Sequence, residues 1–433
     1  TFEELYRTML KQAVEKGSVQ ADDLEASAGH LDCLLHPQDH PLVWPLNPCT
    51  CPKEETHCAA ACLFDAIVRR DDGTLAVDPD RCSGCGACIQ ACQSGNLTAS
   101  RDVLPALDAV KHAKGPVYAL IAPAFLGQFS TVVTPGRLRS AFKLLGFTGM
   151  VEVALFADLL TLKEALEFDR NIHTETDFQL TSCCCPMWIG MIRKLYHELM
   201  PHVPGAVSPM IAAGRTVKKL HPDAVTIFVG PCIAKKAEAR EADLAGAVDY
   251  VLTFQEMQDI FQAADIHPEL LEESERDHSS RAGRIYARTG GVSEAVRATV
   301  ERLRPDRSIQ VRTRQADGVP ACRAMMEELR KGERSANFFE GMGCVGGCVG
   351  GPRAVLDRET GRKNVDRYGQ AAEYPTPLDN PYVPELLRRL GEGLHKALTV
   401  AAAALRGVGV VLSPERRASS SRLASPSFER MRS

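Results

Sequence analysis

The sequence predicts an α/β protein, with sheets flanked by helices, preceded by a small α+β module rich in cysteine. Two observations carry that prediction. From about Gly115 onward, short apolar runs of strand length alternate with longer segments of helical periodicity. Before that point, eight of the chain's sixteen cysteines crowd between residues 49 and 92. The composition is that of an ordinary globular protein, with 433 residues, 45% apolar and 24% charged, enough for two or three domains and a large core. A net charge of -4 offers no general attraction to nucleic acid or to a membrane. Cysteines this clustered in a chain this long exclude a small secreted disulfide scaffold. They suit thiolate metal sites in a reducing interior, and a cytoplasmic location is expected. The start, Thr1-Phe2-Glu3-Glu4-Leu5, has neither a basic segment nor an apolar signal segment. With no initiator methionine, an upstream piece is expected to be missing. The longest apolar run, Leu398 to Leu412, is broken by Arg406 and too short to span a bilayer.

Residues 1–46 form an N-terminal region, and residues 47–100 the cysteine module. Cys82, Cys85, Cys88 and Cys92 have the bacterial ferredoxin spacing C-x2-C-x2-C-x3-C, in which three cysteines hold one [4Fe-4S] cluster and the fourth reaches its neighbour. Upstream, Cys49, Cys51, Cys58 and Cys62 supply an altered partner motif. The expected arrangement is two [4Fe-4S] clusters, one held by Cys82, Cys85, Cys88 and Cys62, the other by Cys49, Cys51, Cys58 and Cys92. Cys33 could replace a member of the second set, and paired C-x2-C spacings also suit tetrahedral zinc. His30, His36, His40 and His57 fall in no ligand spacing and read as solvated loop residues.

In the body, Val117–Ala122, Met150–Ala154, Thr226–Val229 and Ile309–Thr313 read as strands. Arg137–Leu145, Ala157–Phe168, Gln255–Ala264, Ser293–Arg304 and Ala321–Arg330 read as helices. The alternation points to largely parallel sheets, whose carboxyl edges gather functional loops. The tail Ser413–Ser433, rich in serine and arginine, lacks core-forming residues and is expected to be disordered.

Three loops carry the chemistry: Thr181-Ser182-Cys183-Cys184-Cys185-Pro186-Met187-Trp188, Gly230-Pro231-Cys232-Ile233-Ala234-Lys235, and Phe339-Glu340-Gly341-Met342-Gly343-Cys344-Val345-Gly346-Gly347-Cys348. Together they offer four or more thiolates to one site, as a cubane requires. Glycines around Cys344 and Cys348 let backbone lie close to a bulky inorganic group. Cys322 fits no ligand position and reads as a buried structural thiol.

In order and spacing these loops resemble the three signature segments of [FeFe]-hydrogenases, over roughly residues 113 to 395. The resemblance implies a two-lobed catalytic domain with mixed sheets flanked by helices, followed by a C-terminal helix end and tail over 396–433. It further implies an H-cluster, a [4Fe-4S] cubane joined to a diiron unit carrying CO, cyanide and an azadithiolate. Carried over by motif, the cubane ligands are Cys185, Cys232, Cys344 and Cys348, with Cys348 bridging to the diiron unit. Lys235 corresponds to the lysine that donates to a cyanide, and Met342 to the methionine beside the bridging CO. Cys184 corresponds to the proton carrier when Pro186 and Trp188 anchor the alignment; anchoring on Thr181-Ser182 shifts that role to Cys183. Glu164 and Glu167, at i and i+3 on one helix face, correspond to the family's two relay glutamates. Pro204 stands where that relay has a serine, and proline has no side-chain donor. The triple cysteine is similar to a less-studied subgroup.

The implied activity is interconversion of H2 with protons and electrons, the electrons passing to a soluble carrier such as ferredoxin. Diiron maturation proteins would be needed as partners. Two rivals remain open: a hydrogenase-like iron–sulfur assembly protein without the diiron unit, and an H2 or redox sensor of the same fold.

Overall fold

The computed structural model describes the chain except residues 21–23, 50, 53–55, 71–73, 183, 275–277 and 391–433. Cys183, the long apolar run and the serine-rich tail therefore lie outside the described residues. The helix Phe2–Lys16 opens on a reciprocal capping box between Thr1 and Glu4 and stops at Gly17, whose φ of 79° ends the helix in the left-handed region. It packs on the helices Val103–His112 and Phe254–Ala263, and its Tyr6, Met9 and Leu10 join the core of the main sheet.

The cysteine module holds the short strands β1 (Val43–Pro45), β2 (Ile67–Arg69), β3 (Leu75–Val77) and β4 (Leu97–Ala99), paired antiparallel as β1 with β4 and β2 with β3. The body adds β5 (Val117–Ile121), β6 (Gly149–Glu152), β7 (Gln179–Leu180), β8 (Val225–Gly230), β9 (Tyr250–Thr253), β10 (Thr313–Asp317) and β11 (Phe338–Met342). One sheet runs β6-β5-β8-β9 and the other β10-β11-β7. Every neighbouring pair in both is parallel. All five residues of β5 and all five of β11 are buried, as befits parallel strands covered on both faces.

The expected α/β architecture is present, and most elements fall within a few residues of their sequence positions. One strand does not. Ile309–Thr313 was expected to be a strand, yet β10 begins only at Thr313 and continues to Asp317. Val311 instead joins the helical core around Phe168 and Val300, with Ile309 packed against it, and the Arg312 N–H is taken by the Asn337 side chain at 2.8 Å. β10 is an edge strand with only Ala316 buried, so its polar sequence hides it from an apolar search.

The helix Ala154–Asn171 crosses both halves of the body and is buried along most of its length. Asp158, fully buried, ties it to the chain around residue 280. Its carboxylate accepts from Ser280 N–H (2.7 Å), Ser280 Oγ (2.5 Å), Gly283 N–H (2.8 Å) and Asn380 Nδ2 (3.1 Å). Replacing Asp158 by alanine strands these buried donors. At roughly 1–3 kcal/mol for each stranded group, the expected loss is about 3 kcal/mol or more, measurable by denaturant unfolding.

Candidate cluster-binding site

The three cysteine loops leave the carboxyl ends of β7 and β11, parallel neighbours in one sheet, and of β8 in the other, and they meet at one cavity. Cys185 is the N-cap of the helix Pro186–Leu195, whose first-turn Pro186 supplies a preset φ. Trp188, fully buried, donates from its indole to Thr181 O at 3.2 Å. Gly341 lies against its ring, and a Cβ there would overlap the indole. Across the loops, the Gly343 N–H donates to Cys185 Sγ at 3.3 Å. Gly347 has φ of 84°, and a Cβ would sit 2.7 Å from Thr289 N, so neither the turn nor the packing accepts a side chain.

These loops line a cavity of about 80 Å³ whose walls include Cys184, Cys185, Cys232, Cys344 and Cys348, with Lys235 and Met342. Much of the remaining lining is apolar, including Ala122, Pro123, Val153, Phe228 and Met210. Burial, and then the neighbouring Cys185, pushes the Cys232 thiol up to about 11 and, with Cys232 added, Cys348 to about 12. Burial and the other cysteines likewise push Cys344 well above the ordinary thiol range. Such thiols become thiolates only beside concentrated positive charge, which an iron–sulfur cluster supplies. Among the described residues, no three His, Cys, Asp or Glu side chains stand close enough together for a single metal ion. Four cysteines lining one cavity are the donor set of a multi-iron cluster.

The other sequence-singled residues distribute unequally. Lys235 is buried, with Nζ 2.6 Å from Glu238 Oε2. Burial disfavours its charge, but the Glu238 carboxylate, joined by Cys232, holds the ammonium above the usual lysine range. Met342 is 2% exposed at the end of β11. Glu164 is fully buried, and its Oε1 accepts the N–H (3.0 Å) and hydroxyl of Ser182. Burial, against the Ser182 bonds, pushes this carboxyl up to about 7. Glu167 instead stays partly exposed, near Lys163 (3.8 Å) and Arg170 (4.0 Å). The pair is therefore split between core and surface. Cys322 is buried and donates to Met342 O at 3.3 Å, away from the cavity lining.

In the module, Cys49, Cys51, Cys58 and Cys92 line one small cavity with His57. Cys82, Cys88, Cys85 and Cys62 lie within electrostatic reach of one another. Cys33 is buried in the helix Ala28–Leu35 and is not part of that cavity lining. Arg69, unremarked in the sequence, donates to Cys49 Sγ at 3.2 Å and Cys51 O at 2.6 Å. The module's loop packs on the body: a Cβ at Gly84 would lie 3.1 Å from Ala234 Cα, and Ser83 Oγ is 3.7 Å from Met187 Sδ. Sequence reasoning also passed over Glu238 and Glu340. Glu238, three residues after Lys235, had the spacing of a helical ion pair. Glu340, an acid inside the apolar run Phe338–Met342, was the signal of a buried carboxylate.

Fold and donor set together define an iron–sulfur protein of α/β architecture. Residues 115–352 match the family described as iron only hydrogenase large subunit, C-terminal domain, and residues 75–98 match a 4Fe-4S binding domain. The chain belongs to the iron-only hydrogenase family. It is similar to iron hydrogenase 1 of Clostridium pasteurianum, 28% identical over 54% of this chain and 48% of that one. The NADP-reducing hydrogenase subunit HndD of Solidesulfovibrio fructosivorans is 26% identical over 73% of this chain and 64% of its own. The chain thus spans about half to two thirds of these relatives. Cytosolic iron-sulfur assembly component 3 of Pongo abelii is 24% identical, over 74% of this chain and 82% of that protein. A solved [FeFe]-hydrogenase of Chlamydomonas reinhardtii superposes with a TM-score of 0.57 at 21% identity, covering 68% of this chain and 97% of its own, a likeness of fold.

Because the folded-state value of Glu164 is raised, the stability it contributes is fully present below the unfolded carboxyl value of about 4.5 and is lost as pH rises through about 7. Thermal unfolding of the parent and Glu164→Gln proteins should therefore diverge with pH. The parent loses on the order of 2 kcal/mol relative to the variant between about pH 5 and about pH 8.

Proposed function

We propose that this chain is an [FeFe]-hydrogenase interconverting H2 with two protons and two electrons. The observation that carries the reading is the convergence of Cys184, Lys235 and Met342 on the cavity that gathers Cys185, Cys232, Cys344 and Cys348. Cys185, Cys232, Cys344 and Cys348 would hold the cubane, with Cys348 also serving the diiron unit. When bound, that unit supplies the open iron and the basic amine at which H2 is split. The protein's residues do the rest. Lys235, held charged by Glu238, offers ammonium hydrogen bonds to anionic ligands. Met342 and the apolar wall exclude water. Cys184 Sγ carries a proton between the cavity and Glu164.

Residues 47–100 act as the electron-transfer module and 113–395 as the catalytic domain. Packing of Ser83 and Gly84 against Met187 and Ala234 supports electron flow between module clusters and cubane, and onward to a ferredoxin-type carrier. Maturation proteins would install the diiron unit. Among the described residues no helix is long and apolar enough to cross a membrane. Thiolate clusters need reducing surroundings, so we place the reaction in the cytoplasm. The triple cysteine of the first loop supports membership of a subgroup distinct from the commonest form.

An assembly role is the second reading, favoured by the fuller coverage of the assembly component, 82% of its length. Infrared spectroscopy separates the two. Anaerobic protein given the diiron unit should show metal CO and cyanide bands; full cubane occupancy without those bands would sink the hydrogenase reading. With the bands present, Cys184→Ala should keep them while H2 turnover falls by about a hundredfold or more.

A further inference from the structure

The two cysteine sets of the module have unequal surroundings. Cys62 and Cys85, of the inner set, pack against the core of Met187 and Trp188 in the body. Cys49, Cys51, Cys58 and Cys92 line the outer cavity. Arg69 ends β2 opposite Leu75 of β3, and opposite residues of an antiparallel pair share a face. Ile67 packs into the module core whereas Val68 is exposed, so strand alternation turns Arg69 inward with Ile67. Leu75 lines the outer cavity, and the guanidinium arrives at the same place. Its Nη2 donates to Cys49 Sγ at 3.2 Å and to Cys51 O at 2.6 Å. Its Nε is buried without a partner among the described residues.

Among the described residues, the other bonds onto the module's sulfurs come from neutral groups. Ala66 N–H donates to Cys62 Sγ and Asn96 N–H to Cys92 Sγ, each at 3.3 Å, and Ser94 Oγ lies 3.4 Å from Cys92 Sγ. Lys194 is within electrostatic reach of the inner Cys82, but its ammonium donates to Asp80 O (2.9 Å) and Arg81 O (3.2 Å). A charged donor on a ligand sulfur is therefore a property of the outer set. Reduction adds one negative charge to a [4Fe-4S] cluster, and hydrogen bonds to its sulfurs and positive charge beside them favour the reduced form.

We propose that Arg69 raises the reduction potential of the outer cluster above that of the inner one, so that electrons leaving the body collect there, and that it is not needed to hold the cluster. The inference rests on the two-cluster reading of residues 47–100. Only an electron moves: the inner cluster is oxidised as the outer one is reduced. The guanidinium keeps its proton and its charge in both states. Arg69 is a positioning residue, acting through Cys49.

The test is a potentiometric titration followed by electron paramagnetic resonance, on full-length anaerobic protein loaded with iron and sulfide but no diiron unit. The component missing in Cys58→Ala marks the outer cluster. In the parent it should reduce at a higher potential than the inner component. Arg69→Gln should keep the parent's iron content. At a fixed potential its outer reduced-to-oxidised ratio should fall by about tenfold, which is about 59 mV for one electron. Arg69→Lys, which keeps the charge without the fork, should fall by less, and the inner component should stay in place in both variants. An outer midpoint that stays or rises in Arg69→Gln overturns the inference, as does an equal shift of both components. Loss of the outer cluster in Arg69→Gln overturns it too, by making the arginine a brace of the ligand loop. An outer midpoint below the inner one in the parent overturns the collecting role. A parent in which Cys58→Ala removes no component instead overturns the two-cluster reading, and the inference with it.

Discussion

Bringing four thiols into one apolar cavity is the constraint on which the rest of this structure depends. Each sulfur that loses its proton there carries a charge that burial and its neighbours both oppose. The fold meets this with geometry before any metal arrives. Strands from two sheets end at one cavity, and the loops that follow β7 and β11 have shapes set by something rigid. Proline and the helix start fix Cys185, and the buried Trp188 braces the third loop through Gly341. The left-handed turn at Gly347 presents Cys348. Preset ligands spare the cluster the ordering cost that flexible loops would impose on binding.

Charge around the cavity is handled by pairing. Lys235 and Lys236 are adjacent, both buried, and each has its own acid, Glu238 and Glu256. Glu256 also completes the capping box of the helix Phe254–Ala263. The short helix Ala234–Arg240 is thus tied to the helix Phe254–Ala263 through Lys236 and carries the Lys235–Glu238 pair within itself; breaking either would leave a stranded buried charge. The ammonium facing the cavity keeps its charge because Glu238 stands behind it. A Lys235 without that partner would tend to deprotonate on burial.

Much of this was legible in the sequence. The cysteine motifs announce themselves by spacing, and β5 by the unbroken apolar run Val117–Ile121; β11, equally buried, was not read as a strand because Glu340 and Gly341 interrupt its apolar residues. Edge strands such as β10 were not legible, because half of their surface meets solvent and their residues look like a loop. The division between Glu164 and Glu167 was also hidden. Helical spacing puts both on one face, but which of them meets Ser182 depends on a strand that arrives from elsewhere in the chain. Glu340 and Thr181 were hidden for the same reason, since their neighbours are set by the register of β7 on β11 and not by sequence distance.

That register has one further consequence for how the proposed reaction is laid out. Along β11, Phe339 points to the core that holds Trp188, Leu180, Cys62 and Cys85, on the side of the cysteine module. Phe338 and Met342 point to the opposite core, with Cys184 and the helix Ala154–Asn171. Cys185 touches both. A two-residue period in one short strand thus separates the sulfurs that would carry electrons from the acids that would carry protons. The cavity sits where the two sides meet. Electrons tolerate gaps between clusters, whereas protons need hydrogen-bonded groups at contact distance. On the second face the helix that carries Glu164 meets the first cysteine loop through Ser182, so the hydrogen-bonded acid and the module's sulfurs lie on opposite sides of one strand.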